Sequence, residues 1–189
     1  VGSAINGIST GSFSGTLPNL FLKPYTLTEL EIGADLKFFN NRLGVDVAYF
    51  DRKTKDEIMN ASLSWATGYN SSVIANGSIQ NKGFEILLTG TPVQTRNFTW
   101  NTSVNITSIK NKVLETDRAG NNLGQGTYRP LNANTAYIKG LAGPQVLARD
   151  YTYSSKGEIV VDASGLPIQG ALKPFGSVLP TFYGGFRND

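Results

Sequence analysis

The chain has 189 residues, a formal net charge of +3, only 16% charged residues, 21 Gly, and neither Cys nor His. It therefore offers no thiolate or imidazole metal site, no disulfide and no Ser-His or Cys-His nucleophile pair, and no cofactor or metal is expected. Its 17 Lys and Arg are scattered, the densest run being Arg52-Lys53 with Lys55, so the aligned cations of a nucleic-acid binder are missing. The chain opens on Val1 and ends in an aromatic, Gly-containing stretch, Phe182 to Arg187, which reads as a strand cut short and predicts a piece of a longer protein. No run reaches the 18 or so apolar residues of a membrane-spanning helix, but alternating transmembrane strands escape such a search.

Period-two alternation dominates, in segments of about ten residues. Residues 30–38 place Leu30, Ile32, Ala34, Leu36 and Phe38 on one face, and Glu31, Gly33, Asp35 and Lys37 on the other. Asn40-Asn41 supplies residues that tolerate a tight turn, and a second strand follows over 43–52. Its faces are Leu43, Val45, Val47 and Tyr49 against Gly44, Asp46, Ala48, Phe50 and Arg52. The spacing predicts a hairpin. Residues 54–80, rich in Asn, Ser and Gly, read as a long loop. A third strand is predicted over 81–91, with Phe84, Ile86 and Leu88 on its apolar face, then a short turn over 92–97. The fourth, 98–109, alternates most clearly: Phe98, Trp100, Thr102, Val104 and Ile106 against Thr99, Asn101, Ser103, Asn105 and Thr107. Residues 111–180 read as a second long loop, with weaker strands after 135 at 136–141, 151–153 and 158–162. No helix and no fixed-period repeat is predicted.

The predicted fold class is all-β and antiparallel. Strands of near membrane-crossing length, joined by alternately short and long connections, match a transmembrane β-barrel with long extracellular loops. Aromatics gather at the strand ends: Phe38, Phe39, Phe98 and Trp100 beside the short turns, Tyr49, Phe50 and Phe84 toward the long loop. Such rings favour the headgroup level. The uncharged polar face of the fourth strand suits a lumen wall. A soluble β-sandwich with a neutral face, secreted or on a cell surface and binding carbohydrate or serving as an adhesin, fits the alternation too. The carboxylates Asp51, Asp56 and Glu57 permit a third reading, a β-rich glycosidase, although charges at a strand-to-loop junction are more often simply solvated.

Several stretches together resemble one family. They include Leu22-Lys23-Pro24, Glu29 to Gly33, Phe38 to Leu43, Val47 to Phe50, Thr54 to Ile58, Thr67-Gly68-Tyr69 and Asn76 to Glu85. The likeness continues in Asn97 to Trp100, Asn105 to Val113, Gly140 to Gly143, Asp162 to Pro167 and Gly176 to Gly185. In this order and spacing they resemble the barrel of TonB-dependent outer-membrane transporters, especially the SusC/RagA group of Bacteroidetes. Asn81-Lys82-Gly83-Phe84-Glu85 is the most specific part. Tyr25, where the family often has an acidic residue, and Thr181-Phe182-Tyr183, in place of a more usual Asp-Trp pair, depart from the pattern.

The resemblance implies that residues 1–189 are part of the C-terminal portion of a plugged barrel of about 22 strands. It further implies a location in the bacterial outer membrane, import of bulky nutrients such as glycans or peptides, and no enzymatic activity. The implied partners are outer-membrane lipid, a SusD-like surface lipoprotein, and the TonB complex, which would act through a plug region outside this chain. On that barrel, Phe38, Val45, Val47, Tyr49, Phe84, Phe98 and Trp100 are expected to face lipid or form its aromatic girdles. Glu31, Asp35, Lys37, Asp46, Glu85, Asn101 and Asn105 are expected to face the lumen. Trp65, Tyr69, Tyr128, Tyr151 and Tyr153 are candidate contacts for substrate or lid, because sugar rings stack on exposed aromatics, although packing within the loops is the commoner role of such rings. Six Asn-x-Ser/Thr triplets, at Asn60, Asn70, Asn76, Asn97, Asn101 and Asn105, are what an Asn/Ser/Thr-rich chain produces by chance.

Overall fold

The computed structural model describes residues 3–5, 8–10, 15–128 and 133–189. Its main sheet has seven strands. Five follow the spatial order β13-β8-β7-β5-β4, namely β13 (Phe182–Asn188), β8 (Thr99–Glu115), β7 (Ser71–Gln94), β5 (Leu43–Lys55) and β4 (Thr26–Phe38), all antiparallel. Two short strands, β3 (Thr16–Leu17, parallel) and β6 (Glu57–Ser62, antiparallel), pair with the beginning of β7. A second sheet runs β12-β11-β10-β9, from β9 (Leu123–Tyr128) through β10 (Ala133–Tyr137) and β11 (Gln145–Tyr151) to β12 (Gln169–Ser177). Near the start, β1 (Ser3–Ile5) and β2 (Ile8–Thr10) form a separate pair.

The predicted hairpin forms, and its pairing is regular from Thr26↔Lys55 to Phe38↔Leu43. Its turn is wider than Asn40-Asn41 alone. Phe39, Asn40 and Asn41 all have left-handed φ values of 54°, 54° and 65°. Asn tolerates that region, whereas Phe is held there by the turn. Arg42 ties this turn to the next one, donating through its guanidinium to the carbonyls of Thr91 and Pro92 at 3.1–3.2 Å. The second short turn comes later than predicted. β7 runs past Pro92 to Gln94 through a bulge, and Thr95 to Phe98 close the reversal.

Both long segments read as loops need correction. Residues 54–80 hold β6, a single 3-10 turn (Trp65–Thr67) and the first part of β7. Residues 111–180 hold the end of β8 and all of β9 to β12. Of the weak candidates, 136–141 and 151–153 fall beside β10 and β11, while 158–162 takes part only in the isolated bridges Tyr153↔Ile159 and Val161↔Pro167. Period-two contrast needs an apolar side, and these strands lie where neither face meets one continuously. β7 alone has 24 residues, about 80 Å of extended chain. A strand tilted by about 45° needs only 9–11 residues to cross a bilayer, and β7 is more than twice that length.

Among the described residues the buried apolar ones are Met59, Ile79, Val113, Leu123, Ala136 and Leu147. All sit at the long-connection end, where Met59, Ile79 and Leu123 pack with Ala61, Ile74 and Tyr137. Between residues 26 and 38 every side chain is exposed, as in β13. Among the described residues, the wall of the main sheet has no core of its own. Its two rims, β4 and β13, have no outer neighbour among the described residues, so the sheet is an open arc.

Candidate functional site

Paired residues in an antiparallel ladder share a face, so the register sorts the side chains. One face carries the rows Ile32–Tyr49–Phe84–Ser108–Phe182, Ala34–Val47–Ile86–Ile106–Gly184 and Leu36–Val45–Leu88–Val104–Phe186. Phe38 and Leu43 extend it toward the short turns, where Trp100 pairs with Val93. The rings of Tyr49 and Phe84 lie 5.1 Å apart, tilted. The residues predicted for one side, Phe38, Val45, Val47, Tyr49, Phe84 and Trp100, therefore share a face. Phe98 precedes β8 in the turn and stays exposed. Phe50 opposes Glu31 and Gly83, on the other face from Tyr49 and Phe84 as the alternation predicts, so of the aromatics near that strand end it stands apart from the Tyr49–Phe84 side.

The opposite face carries Gly33–Ala48–Glu85–Thr107–Tyr183, Asp35–Asp46–Leu87–Asn105–Gly185 and Lys37–Gly44–Thr89–Ser103–Arg187. Glu31, Asp35, Lys37, Asp46, Glu85, Asn101 and Asn105 all belong to it. A hollow of about 260 Å³ opens among Glu29, Glu31, Phe50, Arg52, Glu85 and Tyr183. Arg52 donates to Glu29 Oε1 at 2.8 Å. With three carboxylates around one guanidinium, the hollow favours cationic or hydrogen-bond-donating groups. Farther along, Asp35 and Asp46 oppose each other, and Lys37 stands 3.6 Å from Asp35. Thr91 donates to Asn101 at 2.8 Å beside a second hollow of about 280 Å³ that includes Arg42 and Arg187.

The loop aromatics do not converge. Trp65 opens the 3-10 turn and is 79% exposed. Tyr69 follows that turn, half-buried. Tyr151 and Tyr153 lie together on the other segment, around Asp150, and both are exposed. The side chain of Tyr128 lies outside the described residues. Asp150 accepts from Lys173 Nζ at 2.5 Å, from the Tyr151 amide at 2.8 Å and from the Tyr153 hydroxyl at 3.2 Å. The Lys173 hydrogen bond, foremost, holds the Asp150 carboxyl below its ordinary range, and the same pairing raises Lys173.

Two residues of the motif stretches have structural parts that composition and alternation do not reveal. A Cβ on Gly83 would stand 2.0 Å from the Ser108 carbonyl oxygen and 3.1 Å from the Phe50 ring. Only Gly allows β7 and β8 to approach there, with Phe50 lying across the gap. Asn111 donates to Asn81 Oδ1 at 2.7 Å and accepts from the Gly143 amide at 2.8 Å. Three separate stretches of the resemblance are thereby joined at one point.

Comparison with known proteins then decides the family. The family described as "TonB dependent receptor-like, beta-barrel" matches residues 2–178. The chain belongs to this family. The receptor segment is 32% identical over 172 residues to TonB-dependent receptor P26 of Formosa agariphila, a match covering 87% of the segment and 17% of that protein. It is 31% identical over 107 residues to TonB-dependent receptor SusC of Bacteroides thetaiotaomicron, over 54% of the segment and 11% of that protein. Among solved structures, the RagAB peptide transporter superposes with a TM-score of 0.73 at 21% identity, covering 97% of the segment and 21% of that chain. The receptor segment thus spans about a fifth or less of the proteins it matches. TonB-dependent receptor barrels are outer-membrane structures, and the open arc described above is a portion of such a wall.

Proposed function

We propose that this segment is part of the wall of an outer-membrane importer of bulky nutrients, glycans or peptides, and not of an enzyme. It would work with a SusD-like surface lipoprotein and draw energy from the TonB complex through a plug region elsewhere in the full-length receptor. The observation that supports this most is the two-faced sheet without a core: apolar rows on one side, charged and small polar rows on the other. Such a sheet is stable only where lipid covers the first face and a polar lumen the second. In this reading Val45, Val47, Tyr49 and Phe84 face lipid, with Phe38, Phe98 and Trp100 at one girdle, while Glu31, Asp35, Lys37, Asp46, Glu85, Asn101 and Asn105 line the lumen. The long connections are extracellular, and Trp65, Tyr69, Tyr151 and Tyr153 are available there to substrate or lid.

Substitution of one residue on each face tests the orientation. In the full-length receptor, Val47→Arg is expected to cost about 2–4 kcal/mol near the bilayer midplane. Ala48→Arg, its neighbour on the lumen face beside Glu85, is expected to cost little. The heat at which the folded band is lost on gels reads both. Equal tolerance of the two would refute the assignment of faces. Growth of a receptor-deleted strain on oligopeptides against oligosaccharides then identifies the cargo class.

A further inference from the structure

We propose that a cluster of lysines on the lipid-facing side binds a phosphate-bearing lipid headgroup of the outer leaflet. The inference rests on the orientation above, with the long connections outside the cell. Beyond the Tyr49–Phe84–Phe182 row, the next register carries Leu30–Asp51–Lys82–Lys110, and the one after it Thr28–Lys53–Gln80–Lys112. Lys55, opposite Thr26, continues the face. All five lysines are exposed.

Three features distinguish this cluster from scattered surface charge. Lys82 and Lys110 are direct cross-strand partners, an arrangement in which like charges repel. No salt bridge among the described residues includes any of the five. The one acid on these rows, Asp51, has both carboxylate oxygens engaged by the Gln80 amide, at 2.7 and 3.0 Å. Asp51 keeps its charge in those hydrogen bonds and, opposite Lys82, offsets one lysine, so the rows retain a net positive charge for something outside the chain to neutralise.

Height and shape indicate what that is. From Trp100 to Lys110 is ten residues, about 34 Å of strand and about 26 Å of height at the usual tilt, close to the apolar band of an outer-membrane barrel. The lysines accordingly stand at the level of the headgroups. There a hollow of about 750 Å³ is lined by Lys82, Ser108, Lys110, Lys112, Ala142 and Phe182. Ammonium groups sit above an aromatic floor, which matches a lipid with phosphate above and acyl chains below. A free anion has no use for that floor. The lumen face at the same level bears Glu29, Glu31 and Glu85 around Arg52, so the positive field is confined to the side that meets lipid.

The test uses the detergent-purified full-length receptor and native mass spectrometry. The probes are bisphosphorylated lipid A, the same lipid with both phosphates removed, and inorganic phosphate. Wild type and a charge-matched control, Lys139→Gln with Lys156→Gln, are expected to retain the bisphosphorylated lipid. Lys82→Gln with Lys110→Gln is expected to hold it about 30-fold more weakly, and Lys82→Arg with Lys110→Arg to restore it. The dephosphorylated lipid should bind all four proteins equally and weakly, and inorganic phosphate should not compete. Equal lipid A affinity in the double Gln variant and the control, or displacement by inorganic phosphate, overturns the proposal. Orientation is read separately: Ser164→Cys, in the exposed turn before Gly165, should react with an impermeant maleimide on intact cells. Labelling together with a failed lipid result refutes the lysine site alone. Absence of labelling removes the orientation and the site with it.

Discussion

At the scale of single residues, the most informative positions are those where the backbone leaves no freedom. Gly83 is such a place, because any Cβ meets a carbonyl of the neighbouring strand. Gly83→Ala is expected to destabilise the full-length receptor by about 1–3 kcal/mol, seen as a lower midpoint in heat-modifiability gels. Asn111 is the second. Truncation to Ala leaves the Asn81 side chain and the Gly143 amide without their partner, at an expected cost of about 1–3 kcal/mol. Hydrogen exchange should then rise around residues 140–143 and stay unchanged in the β4–β5 hairpin. Neither role is legible in composition or alternation: Gly83 looks like a strand weakener, and Asn111 like one more polar residue in an Asn-rich stretch.

At the scale of elements, legibility follows the solvent. The β4–β5 hairpin and the alternation of β7 and β8 were readable because one face carries apolar rows, as the single apolar medium of the proposed orientation would impose. The same strands continue beyond that medium to Lys55, Glu115 and back to Ser71, and there the contrast disappears. The β9–β12 sheet was unreadable for the same reason, although each of its strands pairs with its neighbour in sequence. Its stability should also respond to pH. In the β11–β12 pair, Asp150 is held below its ordinary carboxyl range mainly by Lys173, so that contribution is complete above the unfolded value near 3.9 and lost as pH falls through the folded one. Lys173 is raised, so its part is complete below about 10.4 and lost as pH rises through the folded value. Exchange protection of β11 and β12 is thus expected to stay level from about pH 5 to 8 and to drop below about pH 4. Asp150→Asn should remove that acid limb; an acid limb that persists unchanged would mean another group controls it.

At the scale of the whole molecule, the segment is an arc with two open rims. Among the described residues β4 and β13 each present unpaired backbone groups, and between them lies the apolar face that the proposed orientation turns to lipid. Expressed alone, residues 1–189 are expected to aggregate or to associate rim to rim. A monodisperse monomer by size exclusion without detergent would contradict the membrane assignment. The sandwich alternative weakens on the same ground: a sandwich would bury the Val45–Leu88–Val104 row against a second sheet, whereas the second sheet here lies at the long-connection end.

The placement of the buried apolar cluster outside the wall divides the segment into two regimes of mutational freedom. Lipid chains are fluid and adapt to any hydrocarbon outline, so Val45, Ile86 and Val104 should exchange among Val, Ile and Leu with little penalty. Met59, Ile79 and Leu123 fit against one another as solids do, and a single methylene gained or lost there should be felt. A library of aliphatic swaps would separate into a permissive band and an intolerant cap, and the border between them would trace the outer surface of the membrane.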